Sequence, residues 1–236
     1  VEETKQFEAK MLEHISRIFP GGIDIIEYES PELTPFLFYL IVKRLKERNS
    51  PIIILDILDQ LHVIRTLLEL SGIKPEIIDE SEVIKLGGFL KTGKVIERID
   101  VHKDIMILRD KFLRTIQELT KNREHVILIG IGAEKMVRIY ERDPMEFEYF
   151  FALIGRAMLG DKRLSRIIFL NKSLLDKKTV IELEELASRV FEIKLIGEVG
   201  IGRELAFRIK KSLHFNEYGE EIRIKVQDFQ KHLQSI

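Results

Sequence analysis

The chain has 236 residues, 45% of them hydrophobic and 33% charged, with a formal net charge of -1. That length supplies a sizeable core, and the balanced charge argues against a global basic field for nucleic acid or an anionic membrane. Cysteine is absent, which excludes disulfides, thiol nucleophiles and thiolate metal sites.

No apolar run reaches the roughly 18 residues of a membrane span, and no signal peptide is expected before the first helical stretch. A cytoplasmic location is therefore expected. The wealth of Lys, Arg and Glu beside scarce Asn and Gln is the bias of hyperthermophilic proteins.

Residues 4–19 carry Phe7, Met11, Ile15 and Ile18 on one stripe, which predicts an amphipathic helix stopped by Pro20, Gly21 and Gly22. Ile23–Glu27 suits a buried strand, 36–48 a helix facing inward through Phe36, Leu37, Leu40, Ile41 and Leu45, and 51–57 a second buried strand. A helix through Leu70 follows, then a short strand around 76–78. The runs 83–86 and 94–99 flank Gly87–Gly93 and predict a hairpin. Next come a long helix over 104–122, a third buried strand over 125–130 and an aromatic-rich helix over 146–159. A fourth strand (166–171), a helix (177–188) and a strand (190–196) complete the alternation. Residues 205–212 and 222–226 alternate in polarity about a turn at Asn216–Gly219, which predicts an antiparallel hairpin. Strands alternating with helices and closed by that hairpin indicate an α/β fold with a mostly parallel sheet. Residues 1–19 are expected as a helical extension and 20–236 as one domain.

Between the first strand and its helix lies Tyr28-Glu29-Ser30-Pro31-Glu32-Leu33-Thr34-Pro35. It has the strand–loop–helix layout of a phosphate-binding loop without the chemistry, which requires glycines, free backbone N–H groups and a lysine. Pro31 and Pro35 lack an N–H, and Glu29 and Glu32 have the wrong sign. A carboxylate about 4 Å from a phosphate charge costs about 4 kcal/mol at an effective dielectric near 20. Thr34 is expected to cap the helix, with Pro35 at its first position.

The order of these pieces resembles the RecA superfamily, particularly the KaiC-like and RadA-like ATPase domains. Gly21-Gly22, Ser50–Asp56, His125–Gly130 and Phe207–Ser212 look like their landmarks. The chain is also similar to an uncharacterised archaeal family of the Pyrococcus–Thermococcus group. The resemblance implies a three-layer RecA-like core whose Walker motifs are degenerate. It places the first and last loop glycines at Tyr28 and Leu33, the phosphate lysine at Thr34 and the magnesium hydroxyl at Pro35. The Walker B carboxylate falls at Gly130, and the paired catalytic glutamates fall at Leu58 and Asp59.

Two further positions are candidate ligand-facing sites. Asp56 and Asp59 end the second strand, where α/β sheets place ligands. They suit a metal or a general base, or one caps the next helix while the other is solvated. Gly130, Gly132, Glu134 and Lys135 end the third strand, where the glycines permit close approach by a ligand or a tight turn. Gly88–Val95 spells a near-Walker pattern but leads into a β-branched run, so it reads as a turn. The histidines (His14, His62, His102, His125, His214 and His232) lack metal-ligand spacing, and no nucleophile motif appears. The basic terminal hairpin, with Arg203, Arg208, Lys210, Lys211, Arg223 and Lys225, reads as a solvated face rather than a nucleic-acid surface. Phe147, Phe150, Phe151 and Ile154 read as core, and any exposed part of that helix is a natural partner patch.

The expected function is a non-catalytic protein- or peptide-binding module without cofactor or metal, monomeric or weakly dimeric. The alternative is a nucleotide-dependent hydrolase working from a displaced site built on Asp56, Asp59 and Gly130–Lys135.

Overall fold

The computed structural model describes residues 2–29, 33–101, 104–198 and 202–233. Ser30, Pro31, Glu32 and His102 lie outside the described residues. The strands are β1 (Ile23–Tyr28), β2 (Ile52–Ile57), β3 (Glu82–Leu86), β4 (Lys94–Ile99), β5 (Val126–Ile131), β6 (Leu164–Asn171), β7 (Arg189–Ile196), β8 (Glu204–Ser212) and β9 (Glu221–Lys225). They form one sheet in the order β4-β3-β2-β5-β6-β1-β7-β8-β9. Pairings from β4 through β7 are parallel, and β8 and β9 join antiparallel as the terminal hairpin.

The helices are α1 (Glu2–Ser16), α2 (Thr34–Glu47), α3 (Gln60–Leu70), α4 (Glu76–Asp79), α5 (Ile105–Thr120), α6 (Ala133–Tyr140), α7 (Pro144–Phe150), α8 (Lys177–Leu186) and α9 (Val226–Leu233). A π-helical segment, Phe151–Arg156, continues α7. One core joins α1, α2, α3 and α9 to one sheet face through Met11, Phe38, Ile64 and Phe229. On the other face α5 and α6 pack through Phe112, Met136 and Tyr140. There α8 closes a smaller cluster with Ile23, Ile25 and Val190. This is the three-layer arrangement expected from near-continuous apolar strands, which must be covered on both faces.

The central strands β1, β2 and β5 are buried throughout. The charges they carry are answered internally. Arg189 of β7 donates through Nε to Asp24 Oδ1 at 3.2 Å and through Nη2 to Asp24 Oδ2, while Nη1 reaches the His14 carbonyl at 2.7 Å. That bond ties the end of α1 to the sheet.

Three sequence expectations are corrected. The runs around Gly87–Gly93 form no hairpin, because β3 and β4 pair in parallel. A five-residue strand spans about 17 Å, and the seven linking residues reach at most about 25 Å, so the chain returns without a helix. Residues 76–79 are a helical turn rather than a strand, because the Pro75 carbonyl accepts from the N–H groups of Ile78 and Asp79. Val226 opens α9 instead of extending the last strand. Helix α6 was not anticipated either. Among the described residues, no helix is long and apolar enough to cross a membrane.

Candidate functional site

The carboxyl end of β1 carries the remnant of the phosphate loop. Tyr28 is buried in the main core, and Leu33, Phe36 and Tyr39 pack against it. Burial, then the nearby charge of Glu134, push the Tyr28 phenol well above its ordinary range. Helix α2 starts at Thr34, one residue earlier than expected, with Leu33 at the cap and no side-chain cap bond. Pro35 lies within the first turn and is buried.

Beside this junction lies a network of acids and lysines. Glu27 has a fully buried side chain and stands 3.6 Å from Lys172 Nζ and 3.3 Å from Lys210 Nζ. Lys172 also meets Glu29 at 3.4 Å and Glu192 at 2.5 Å. Lys210 pairs with Glu184 of α8 as well. Burial, and then hydrogen bonding to Glu184, raise the Glu27 pKa to about 7 against the pull of Lys210 and Lys172. Lys172 and Lys210 are thus engaged by carboxylates.

Asp56 and Asp59 converge on one cation. Lys85 Nζ donates to Asp56 Oδ2 at 2.7 Å and to Asp59 Oδ1 at 2.6 Å. Asp56 Oδ1 accepts from the Leu61 N–H at 2.8 Å and so caps α3. Asp59 is not solvated as the alternative required: it accepts from the N–H groups of Phe89 at 2.7 Å and Leu90 at 3.0 Å. It thereby latches the returning segment. A side chain on Gly88 would meet the Asp59 carboxylate at 2.3 Å, so glycine is needed there. Burial opposes the charge on Lys85, yet the two carboxylates outweigh it and raise its pKa. Asp59 shifts below the usual range because Lys85 and the two amides outweigh its own desolvation.

The third strand end is built for backbone contact. Gly132 caps α6 at φ +87, and a Cβ there would sit 2.8 Å from the Ile57 carbonyl oxygen. Gly130 faces Ile168. Glu134 is buried, accepts from the Asn171 N–H at 3.5 Å, and is raised in pKa chiefly by burial. Lys135 is half-exposed on α6. Asp56 and Asp59 are therefore brought together, whereas Glu134 sits apart, beside β1 and β6.

Of the basic hairpin, Lys210 and Arg223 are ion-paired and Lys211 donates to the Glu184 carbonyl at 2.7 Å. His125 bonds Ser165 at 2.8 Å. Among the described residues no group of three or more His, Cys, Asp or Glu could hold a metal ion. The aromatic helix splits: Phe151 is buried, Phe147 and Phe150 are half-buried, and Met145 and Tyr149 are exposed.

A family model described as "Pyrococcus protein of unknown function, DUF257" matches residues 13–223. The chain belongs to that family. No curated protein matches this DUF257 member. Three solved structures from Pyrococcus horikoshii OT3 or Pyrococcus horikoshii share its fold. PH0250 is 22% identical with a TM-score of 0.71, covering 89% of this chain and 97% of its own. The uncharacterised protein PH0321, solved "in complex with an unknown peptide", is 15% identical with a TM-score of 0.61, covering 92% and 97%. The KaiC-like protein PH0186 is 15% identical with a TM-score of 0.53, covering 87% and 86%. The DUF257 chain therefore has a RecA/KaiC-like fold, as the order of its elements implied.

The sequence reading missed the roles of Glu27, Lys172, Lys210 and Glu192. The signal was present: charged residues inside strands that are otherwise apolar need partners. Glu27 in β1 and Arg166 in β6 are such residues.

Proposed function

We propose that this DUF257 member is a non-catalytic RecA-like domain that binds a protein or peptide. The observation carrying this reading is the pair of side chains that flank the junction after β1 and the acids beside it. Tyr28 and Leu33 pack into the core where loop glycines would stand, and Lys172 is held by Glu27, Glu29 and Glu192. A triphosphate there would meet the carboxylates of Glu27, Glu29 and Glu192, with Lys172 already engaged by them. The peptide found with PH0321 supports a binding role by analogy of fold alone. Met145 and Tyr149, 63% and 46% exposed on α7, are the apolar contact offered to such a partner. A monomer or weakly held dimer in the cytoplasm, without cofactor, accords with this reading.

A displaced hydrolase centre at Asp56 and Asp59 is disfavoured, because Lys85 and three backbone N–H groups already occupy those carboxylates. Calorimetry with ATP and magnesium tests the main claim. No binding heat is expected at about 1 mM nucleotide, and a dissociation constant below about 100 μM would overturn it. Peptides selected by display on the domain are expected to bind saturably and to lose affinity on Tyr149→Asp. Unchanged affinity in that variant would remove α7 as the contact.

A further inference from the structure

The two faces of the central strands are covered unequally. On the face packed against α1, α2, α3 and α9, Ile26, Ile54, Ile129 and Ile167 are 0% exposed. On the opposite face Ile168, in the middle of β6, is only half-buried, although β1 and β5 flank its strand. Gly130 stands in register with Ile168 and carries no side chain, so the β5 layer on that face ends at Leu128. The cover above is thin as well, because Ala133 opens α6 and Gly155 lies in the wide π turn.

These gaps join into a cavity of about 130 Å³ between the sheet, α6, α8 and the π-helical segment. Its wall includes Leu55, Leu128, Met136, Phe151, Ile168 and Leu183 and is almost wholly carbon. Arg166 borders it without opening a donor into it. Its Nη1 turns to the carbonyls of Gly155 at 3.2 Å and Ile154 at 3.5 Å, and its Nε and Nη2 are buried. A water would need polar partners that this wall does not offer, and an apolar cavity of about 150 Å³ stays dry and takes up benzene. Ile57, Leu86 and Leu170, at the carboxyl ends of β2, β3 and β6, also line it. That is the end of an α/β sheet where ligands are bound.

We propose that this cavity binds one small, uncharged, apolar molecule, the size of a single ring or a short branched alkyl group. The volume sets the upper limit and the wall sets the chemistry. Each carbon moved from water into the cavity is favourable, whereas a hydroxyl or a charge would be stripped of water with nothing in return. Side chains bordering a void lack dispersion partners, which an occupant of the right shape supplies. The π turn, a feature that recurs at functional sites, contributes Phe151, Ile154 and Gly155 to the wall. A peptide amide would be left unpaired there, so this site is independent of the peptide reading and stands or falls separately.

The test is an NMR titration of methyl-labelled protein with toluene and with phenol, which has nearly the same shape and carries one hydroxyl. Toluene is expected to give saturable shifts at Leu128, Ile168 and Leu170 with a dissociation constant below about 1 mM. Phenol is expected to bind about tenfold or more weakly. Leu67 and Leu70, exposed on α3, are expected to show no saturable shift. Ala133→Leu fills the cavity from α6 and is expected to weaken toluene by about tenfold or more. Leu183→Phe fills it from α8 and is expected to do the same, so the outcome does not hang on the folding of one variant. Absence of saturable shifts with toluene, equal affinity for phenol, shifts confined to Leu67 and Leu70, or toluene affinity retained in a folded filling variant would each overturn the proposal.

Discussion

Arg189 and Arg166 stand on the two strands that flank β1, are 1% and 5% exposed, and point to opposite faces of the sheet. Arg189 is met on every side. Asp24 takes its fork, the His14 carbonyl takes Nη1, and the rings of Phe19 and Phe191 lie 5.4 and 4.9 Å from its Cζ. Arg166 has two of its five donors answered, both from Nη1, and among the described residues no carboxylate pulls against its desolvation. Equal burial therefore means different things. The first arginine organises the fold around itself, and the second is held by two backbone carbonyls alone.

The largest expected effect breaks the satisfied member of the pair. Asp24→Ala strands the Arg189 charge and is expected to cost about 3–5 kcal/mol in denaturant unfolding. A loss below about 1 kcal/mol would mean that the rings and the carbonyl suffice. The opposite sign is expected for Arg166→Leu, which removes an uncompensated cation and should raise stability by about 1–3 kcal/mol. A clear loss of stability there would erase the contrast between the two.

Asp59→Ala extends the comparison to a lysine with two acids. It is expected to cost about 1–2 kcal/mol and to speed amide exchange at Phe89 and Leu90, while Leu61, capped by Asp56, keeps its protection. Equal acceleration at all three amides would mean that the two carboxylates act as one unit.

Glu27 supplies a test by pH. Its folded pKa of about 7 exceeds the ordinary 4.5, so the folded state holds the proton more tightly. The resulting stability is fully present below pH 4.5 and is lost as pH rises towards about 7. Glu27→Gln is expected to flatten the decline across that window. An unchanged slope would assign it to Glu134, whose pKa is raised in the same direction.

Much of the architecture was legible because the strands are long apolar runs and the last two alternate. The positions of β1, β2, β5, β6 and β7 and the hairpin of β8 and β9 follow from those patterns. The direction of β4 was not legible. Gly87, Gly88 and Gly93 suit a hairpin turn or a tight return equally, and only the Asp59 latch selects the return. Helix α9 was hidden because Val226 continues the alternation of the preceding strand, although Phe229 and Leu233 carry the helical spacing. At the candidate site, the absent glycines and lysine could be read directly. The partners of Glu27, 145 to 183 residues away along the chain for Lys172 (172 − 27) and Lys210 (210 − 27), could not be. Pairing across that distance is decided by the sheet order, which local pattern does not encode.

That sheet order bears on how the molecule assembles. β1 lies between β6 and β7, with Ile23 opposite Arg166 and Asp24 opposite Arg189. Its hydrogen-bonding edges thus stay open until segments far downstream arrive, and the loop-closure entropy falls due before those contacts form. Refolding is expected to be slow, with β2, β3 and β5 gaining amide protection before β1 does.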